Sequence, residues 1–312
     1  MKKFIITLIT CVLSFGVYAQ NNQPIKIVVP LGAGGGIDIS ARTIAKNLSE
    51  IMKTPVIVEN KPGANGVLGA KAVLSEESNG RTLLFYIPHA YDINNIFTET
   101  KENIFEWEKE LTPLSMFYFK PFFMLVNKKL NVNNLTEFKE KYKNKEVTFG
   151  STGSGTAPHI YGEIFLESME VKPVHIPYRA SPQMIVDTIN GSVDLVFLAS
   201  ALNHVKAGNL VPLLYLDDKK HNEFTYVEKM NGNLLNYSDL RIIPSFLVHK
   251  NTSQQVKSDL IRNLELATKM SIDELEQKNI LDSSQSVVFN ENKFKSIGQK
   301  WIYYSKKIKN KR

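Results

Sequence analysis

Two short stretches of this chain carry residue types that hold an anion without a counter-charge. The first is Gly32-Ala33-Gly34-Gly35-Gly36-Ile37-Asp38, with four glycines in five positions between an apolar strand, Lys26–Pro30, and an amphipathic helix. Glycine lets the backbone turn sharply and bring its N–H groups against a ligand. The helix start adds unpaired N–H groups and the positive end of the helix dipole. The alternative is a tight turn in which Asp38 serves only as a helix cap. The second stretch is Gly150-Ser151-Thr152-Gly153-Ser154-Gly155-Thr156-Ala157-Pro158-His159. Its hydroxyls and flexible backbone N–H groups suit a carboxylate or another oxyanion. A flexible Ser/Gly loop is the alternative, and the position between a strand and a helix favours binding.

Other residues are open to more than one role. His159 lies in the first turn after the second glycine loop, where it either orients the loop or a ligand or makes a buried structural hydrogen bond. Tyr178 and Arg179 follow Pro177 at a strand end. Tyr178 is placed to wall a cleft; Arg179 reads as a surface arginine beside it, although it has the charge to pair with an anion.

Enzyme chemistry finds little support. Neither Ser151 nor Ser154 has glycines at the offsets of a hydrolase elbow. No Gly-Lys-Ser/Thr marks a P-loop, and Ile37 occupies the third glycine position of a dinucleotide fingerprint. The six histidines include no pair at a metal-ligand spacing. No catalytic residue, metal or cofactor is expected.

The elements that position these loops follow from local pattern. Ile37, Ala41, Ile44, Ala45, Leu48, Ile51 and Met52 share one helical face. Val56–Glu59 and Thr82–Ile87 read as strands, with a helix through Lys71 to Leu74 between them. This βαβαβ order argues for an α/β unit with a largely parallel sheet. The pattern restarts with a strand at Phe122–Asn127, a helix at Leu135–Lys143 and a strand at Val147–Gly150. A helix follows the second glycine loop, then strands at Val174–Pro177, Val193–Phe197 and Leu210–Leu216, with the helical stretch Pro182–Ile189 among them. Asp217–Asp239 reads as a loop-rich excursion, Ile242–His249 as a strand returning to the first unit, and Gln255–Lys278 and Lys293–Lys307 as helices. The expected division is residues 20–122 plus 241–312 for domain 1 and 123–240 for domain 2.

Residues 1–19 read as a secretory signal peptide: Lys2 and Lys3, an apolar run from Phe4 to Phe15, and Val17-Tyr18-Ala19 before the cleavage point. Its removal takes away the one cysteine, Cys11, so no disulfide is expected. The net charge of +7 comes largely from Lys2, Lys3 and the tail residues Lys306, Lys307, Lys309, Lys311 and Arg312. No basic stripe interleaved with aromatics runs through the rest, which argues against nucleic acid as a partner.

In order and spacing, these motifs resemble the substrate-binding proteins of tripartite tricarboxylate transporters, the Bug or TctC family. The resemblance runs from Val28-Val29-Pro30 with Gly34-Gly35-Gly36 and Asp38, through Glu59-Asn60-Lys61-Pro62-Gly63-Ala64 and Asn79-Gly80-Arg81-Thr82-Leu83. It continues through Ser151, Gly153, Gly155-Thr156, His159 and Pro177-Tyr178 to Gly191-Ser192-Val193-Asp194. It implies a periplasmic binding protein of type II, with two α/β domains around a ligand cleft. It further implies that the two glycine turns clamp a small organic carboxylate. The ligand-binding set is then Gly35, Gly36, Ile37, Asp38, Ser151, Thr152, Gly153, Gly155, Thr156, His159 and Tyr178, with Asp38 reaching the ligand's far end, often through water. The implied partners are the membrane permease subunits of a tripartite transporter, with the receptor a monomer; a ligand-binding subunit of an extracytoplasmic sensing system is the alternative. The chain departs from the family at Ala33, Ile37 and Ala180, in the shortened loop Leu198–Leu202, and along Arg241–His249. Ile37 makes the cleft wall more apolar.

Overall fold

The computed structural model describes residues 23–97, 104–237, 240–282 and 289–310. The expected signal peptide lies outside the described residues. The apolar strand at the start becomes β1 (Ile25–Val29), and the periodic segment after the glycines becomes α1 (Gly36–Met52). Ile37, Ala41, Ile44, Ala45 and Leu48 are buried along α1, and the helix stops at Lys53 in a left-handed conformation with φ 50°. Next come β2 (Val56–Asn60), α2 (Val67–Leu74), β3 (Thr82–Tyr86), α3 (His89–Phe97), α4 (Trp107–Glu110) and β4 (Leu111–Pro113).

The chain then enters a second sheet. Its elements are β5 (Phe123–Asn127), α5 (Leu135–Tyr142), β6 (Glu146–Ser151), α6 (Ala157–Ser168), β7 (Lys172–Pro177) and α7 (Ser181–Asn190). They continue as β8 (Leu195–Leu198), α8 (Leu202–Lys206), β9 (Leu210–Tyr215) and β10 (Glu228–Lys229). The chain returns as β11 (Ser245–His249), then α9 (Gln254–Gln277) and α10 (Glu291–Lys309).

The first sheet runs β2-β1-β3-β11-β4 and the second β10-β9-β5-β8-β6-β7. β1, β2 and β3 are parallel; β11 is antiparallel to both of its neighbours, as befits a strand that returns from elsewhere. In the second sheet β6 is parallel to β7 and β8, while β5 runs antiparallel to β8 and β9. The excursion expected over Asp217–Asp239 is more structured than its sequence suggested. It supplies β10 and a 3₁₀ turn at Gly232–Tyr237, anchored by buried Phe224, Val227, Met230 and Leu234.

The late helices close the first sheet and tie the two together. α9 lies on α1, where the Asn47 side chain donates to Ser271 Oγ at 2.7 Å and Thr43 Oγ1 donates to Glu274 Oε1 at 3.1 Å. α10 packs on α3 and reaches the second sheet's side through Trp301, whose ring lies 5.3 Å from that of Tyr161 on α6.

Three strands of backbone meet between the sheets. Phe117 N–H donates to the Pro244 carbonyl at 3.1 Å and Phe119 N–H to that of Ile242 at 3.1 Å. Lys120 N–H donates to the Ile280 carbonyl at 2.8 Å, and Asp282 N–H to that of Tyr118 at 2.7 Å. The connections before β5 and before β11 thus run side by side, with residues 280–282 beside them. Among the described residues, no helix is long and apolar enough to cross a membrane.

Candidate functional site

The first glycine loop is shaped by Asp38. Gly34 has φ +83°, which a side chain would strain, and its N–H donates to Asp38 Oδ2 at 2.9 Å. Asn60, at the end of β2, donates to Asp38 Oδ1 at 2.9 Å and to the Leu31 carbonyl at 3.0 Å. Arg42, one turn along α1, donates from Nε at 3.1 Å and reaches Oδ1 with its terminal nitrogen at 3.0 Å. Burial opposes the charge on Asp38. The hydrogen bonds from Arg42, Gly34 and Asn60, with the Arg42 charge, outweigh it and hold the carboxyl below the usual aspartate range. Asp38 lines the cavity described below, and both its oxygens already accept hydrogen bonds, from Gly34 in the loop, Asn60 on β2 and Arg42 on α1.

The second loop is held in the same inward manner. Thr156 Oγ1 donates to the Gly153 carbonyl at 2.7 Å, and Ser151 Oγ lies 3.0 Å from that same oxygen. Ser151 Oγ also accepts from Gly153 N–H at 3.1 Å and sits 2.6 Å from His175 Nε2. Gly155 N–H donates to His159 Nδ1 at 3.0 Å, which makes that nitrogen an acceptor. Tyr178 N–H donates to the Ser151 carbonyl at 2.8 Å, while its hydroxyl donates to Asp187 at 2.9 Å. Burial and the Asp187 carboxylate push the Tyr178 hydroxyl up to about 12. Ser151, His159 and Tyr178 therefore brace the loop from behind.

Both loops open on one cavity of about 90 Å³ between the two sheets. Its lining includes the first turns of three helices: Gly36, Ile37 and Asp38 of α1, Ala157 and Pro158 of α6, and Ser181 of α7. None of the three helices has a side-chain cap hydrogen bond at its start. Each therefore presents first-turn N–H groups without an intrahelical partner and the positive end of its dipole. Apolar side chains fill much of the remaining wall, among them Ile93, Phe119, Phe122, Ile242, Ile280 and Trp301.

Glycine also sets how closely the two sides approach. A Cβ on Gly32 would stand 2.6 Å from Ala180 Cβ and 3.2 Å from the Arg179 carbonyl oxygen. One on Gly155, where φ is +80°, would stand 3.3 Å from Asn94 Cα on α3. In both places a glycine of one side meets backbone or β-carbon of the other, so the cleft is narrow.

Of the residues singled out from sequence, Gly35, Gly36, Ile37, Asp38, Thr152 and Thr156 line the cavity. Ser151, Gly153, Gly155, His159 and Tyr178 stand behind the lining. The start of α7 was not singled out, because Ala180 and Ser181 offer neither a glycine run nor a recognisable cap. Arg179, read as a surface residue, is exposed and yet lines the cavity. The apolar contributors Phe119, Ile242, Ile280 and Trp301 had no local signal, since they converge from distant parts of the chain.

Comparison with known proteins bears on the family and the fold. The model of the tripartite tricarboxylate transporter family receptor matches residues 40–300. A UPF0065 protein of Bordetella bronchiseptica is 31% identical over 61% of this chain, and the match spans 56% of that relative, little more than half its length. Protein BugT of Bordetella pertussis is 30% identical over 72% of this chain and 70% of its own. Among solved structures, a periplasmic transporter superposes with a TM-score of 0.82 at 23% identity, covering 94% of this chain and 99% of that one. The R. palustris protein Rpa4515 with adipate gives 0.81 at 19% identity, covering 94% and 97%.

Proposed function

The chain belongs to the tripartite tricarboxylate transporter receptor family, and from that membership we propose that it is an exported receptor for a small organic carboxylate. Receptors of this family bind solutes and are not enzymes. The observation that carries the carboxylate reading is the convergence of three uncapped helix starts on one cavity. Partial positive charge from two sides of a cleft suits an anion held by backbone N–H groups. The adipate in Rpa4515 is in keeping with that class.

In this reading residues 1–19 direct export and are removed. Residues 20–122 with 241–312 form one domain and 123–240 the other. The ligand bridges them and so favours the closed form by its differential affinity. Gly35, Gly36, Ile37, Asp38, Thr152 and Thr156 contribute the contact surface, backed by Ser151, Gly153, Gly155, His159 and Tyr178. The closed receptor, a monomer, delivers its solute to the membrane permease subunits of a tripartite transporter.

A thermal-shift screen of the purified protein against organic acids and their uncharged amides tests the reading. Ligand present at about a hundredfold over Kd stabilises the native state by about 2.7 kcal/mol, which moves the melting temperature by several degrees. One class of acid should do so while its amide does not. Equal shifts from acid and amide, or none from any acid, would reject a carboxylate receptor.

A further inference from the structure

Resting on the carboxylate reading above, we infer that the ligand is a monocarboxylate with an apolar body, not a di- or tricarboxylate. The inference comes from the side chains of the cavity away from the helix starts. Among the described residues that line it, Arg179 is the one lysine or arginine, and it is exposed at the rim. The one acidic residue, Asp38, has its charge matched by Arg42.

The inner wall is different in kind. Phe119, Phe122, Ile242, Ile280 and Trp301 are each at most 8% exposed, and all five line the cavity. Trp301 spends its indole N–H on the Arg241 carbonyl at 2.9 Å, so it offers the cavity a ring and no donor. Among the other polar side chains of the lining, Thr152, Ser200 and Asn279 are half-buried, Thr156, Ser181 and Tyr86 are buried, and the Thr156 hydroxyl donates to the Gly153 carbonyl. The buried His89 ring has both nitrogens engaged, one by Asp92 at 3.3 Å and the other by the Phe294 carbonyl at 3.1 Å. Phe119 and Ile280 also lie close to the first helix start: a Cβ on Gly36 would be 3.5 Å from the Phe119 ring and 3.9 Å from Ile280 Cγ2. A carboxylate on the α1 first turn therefore has apolar carbon as its next neighbour. A second ionised carboxylate against that wall would be desolvated with no cation to meet it, a large penalty. A hydrocarbon chain or ring there gains by burial instead.

The wall has a further consequence for closure. Phe119, Ile242 and Ile280 belong to the three backbone segments that meet between the sheets. An apolar body seated on them would touch the segments that bend as the cleft closes. Its burial would then add to the preference for the closed form.

Hexanoate and adipate make a direct test, since they share six carbons and differ by one terminal carboxylate. Calorimetry on the purified protein, at matched ionic strength and neutral pH, should give hexanoate at least about tenfold tighter binding than adipate. Phenylacetate should likewise bind more tightly than citrate. Adipate or citrate binding as well as or better than the monocarboxylates would overturn the inference and leave the carboxylate reading intact. Failure of every acid in the set, with hexanamide binding instead, would overturn both.

Discussion

Asp38 is the residue on which the first glycine loop depends, and its charge is the reason. Its oxygens gather the Gly34 N–H, Asn60 and Arg42, three groups from the loop, the neighbouring strand and the next helical turn. An amide at this position keeps one acceptor but turns a donor toward groups that are themselves donors. Asp38→Asn should therefore lower stability by about 1–3 kcal/mol at neutral pH and weaken ligand binding through the misshapen loop. The pH dependence has a definite sign. An unfolded aspartate takes up its proton near pH ~3.9, whereas the folded carboxyl is held below the usual range. The stabilisation is thus fully present above the unfolded value and is lost as pH falls through the folded one. Urea titrations of both proteins should show the wild-type advantage at neutral pH narrowing in acid. A gap that persists unchanged at low pH would mean that the charge is not what Asp38 contributes.

At the scale of elements, the loops work because glycine permits two sides to touch. Gly32 is the clearest case: a Cβ there would meet Ala180 at 2.6 Å, across the cleft, and its own φ is not in the left-handed region. Alanine should therefore fit its own side and obstruct only the approach of the other. Gly32→Ala is expected to change the stability of the unliganded protein by no more than about 1 kcal/mol while lowering ligand affinity by about tenfold or more. Urea unfolding and calorimetry on the same sample separate the two effects; unaltered affinity would show that this approach is no part of the bound state. Glycine runs and apolar periodicity are local signals, which is why β1, α1, β6 and α6 were legible in sequence to within a few residues. Helix α3 was not, because its buried face mixes Tyr91 and Ile93 with His89 and Asn94. Asn94 is buried in part because Gly155 lies against it from more than sixty positions away. The returning strand was legible, but its start at Ser245 was not, since Ile242–Pro244 are apolar for the sake of the crossing. For the same reason the glycine loops of the site could be read directly, whereas the start of α7 and the apolar wall could not.

For the whole molecule, the question is whether the two sides move as units about the segments at 114–122, 240–244 and 280–282. Two observations favour motion there. The connections are held by a short ladder of backbone hydrogen bonds, and the approaches across the cleft mouth include pairs of small residues, Gly32 with Ala180 and Gly35 with Ser181. Small residues interlock little and part with little side-chain rearrangement. The second pair also offers a way to arrest the motion. A Cβ on Gly35 would stand 3.5 Å from Ser181 Oγ, and Gly35 has φ −82°, which any residue adopts. Cysteines at both positions fall within the reach of a disulfide, and the one natural cysteine, Cys11, lies within the expected signal peptide. Gly35→Cys with Ser181→Cys should therefore form a single bridge on oxidation. If the cleft must open to admit ligand, the oxidised protein will take up ligand at least about tenfold more slowly than its reduced form. Ligand loaded before oxidation should be retained correspondingly longer. Stopped-flow traces of one preparation, before and after reduction, make the comparison, and the reduced form controls for the substitutions themselves. Equal rates in both forms would mean that solute enters without the two sides parting, and the receptor would then be a rigid pocket in place of a clamp.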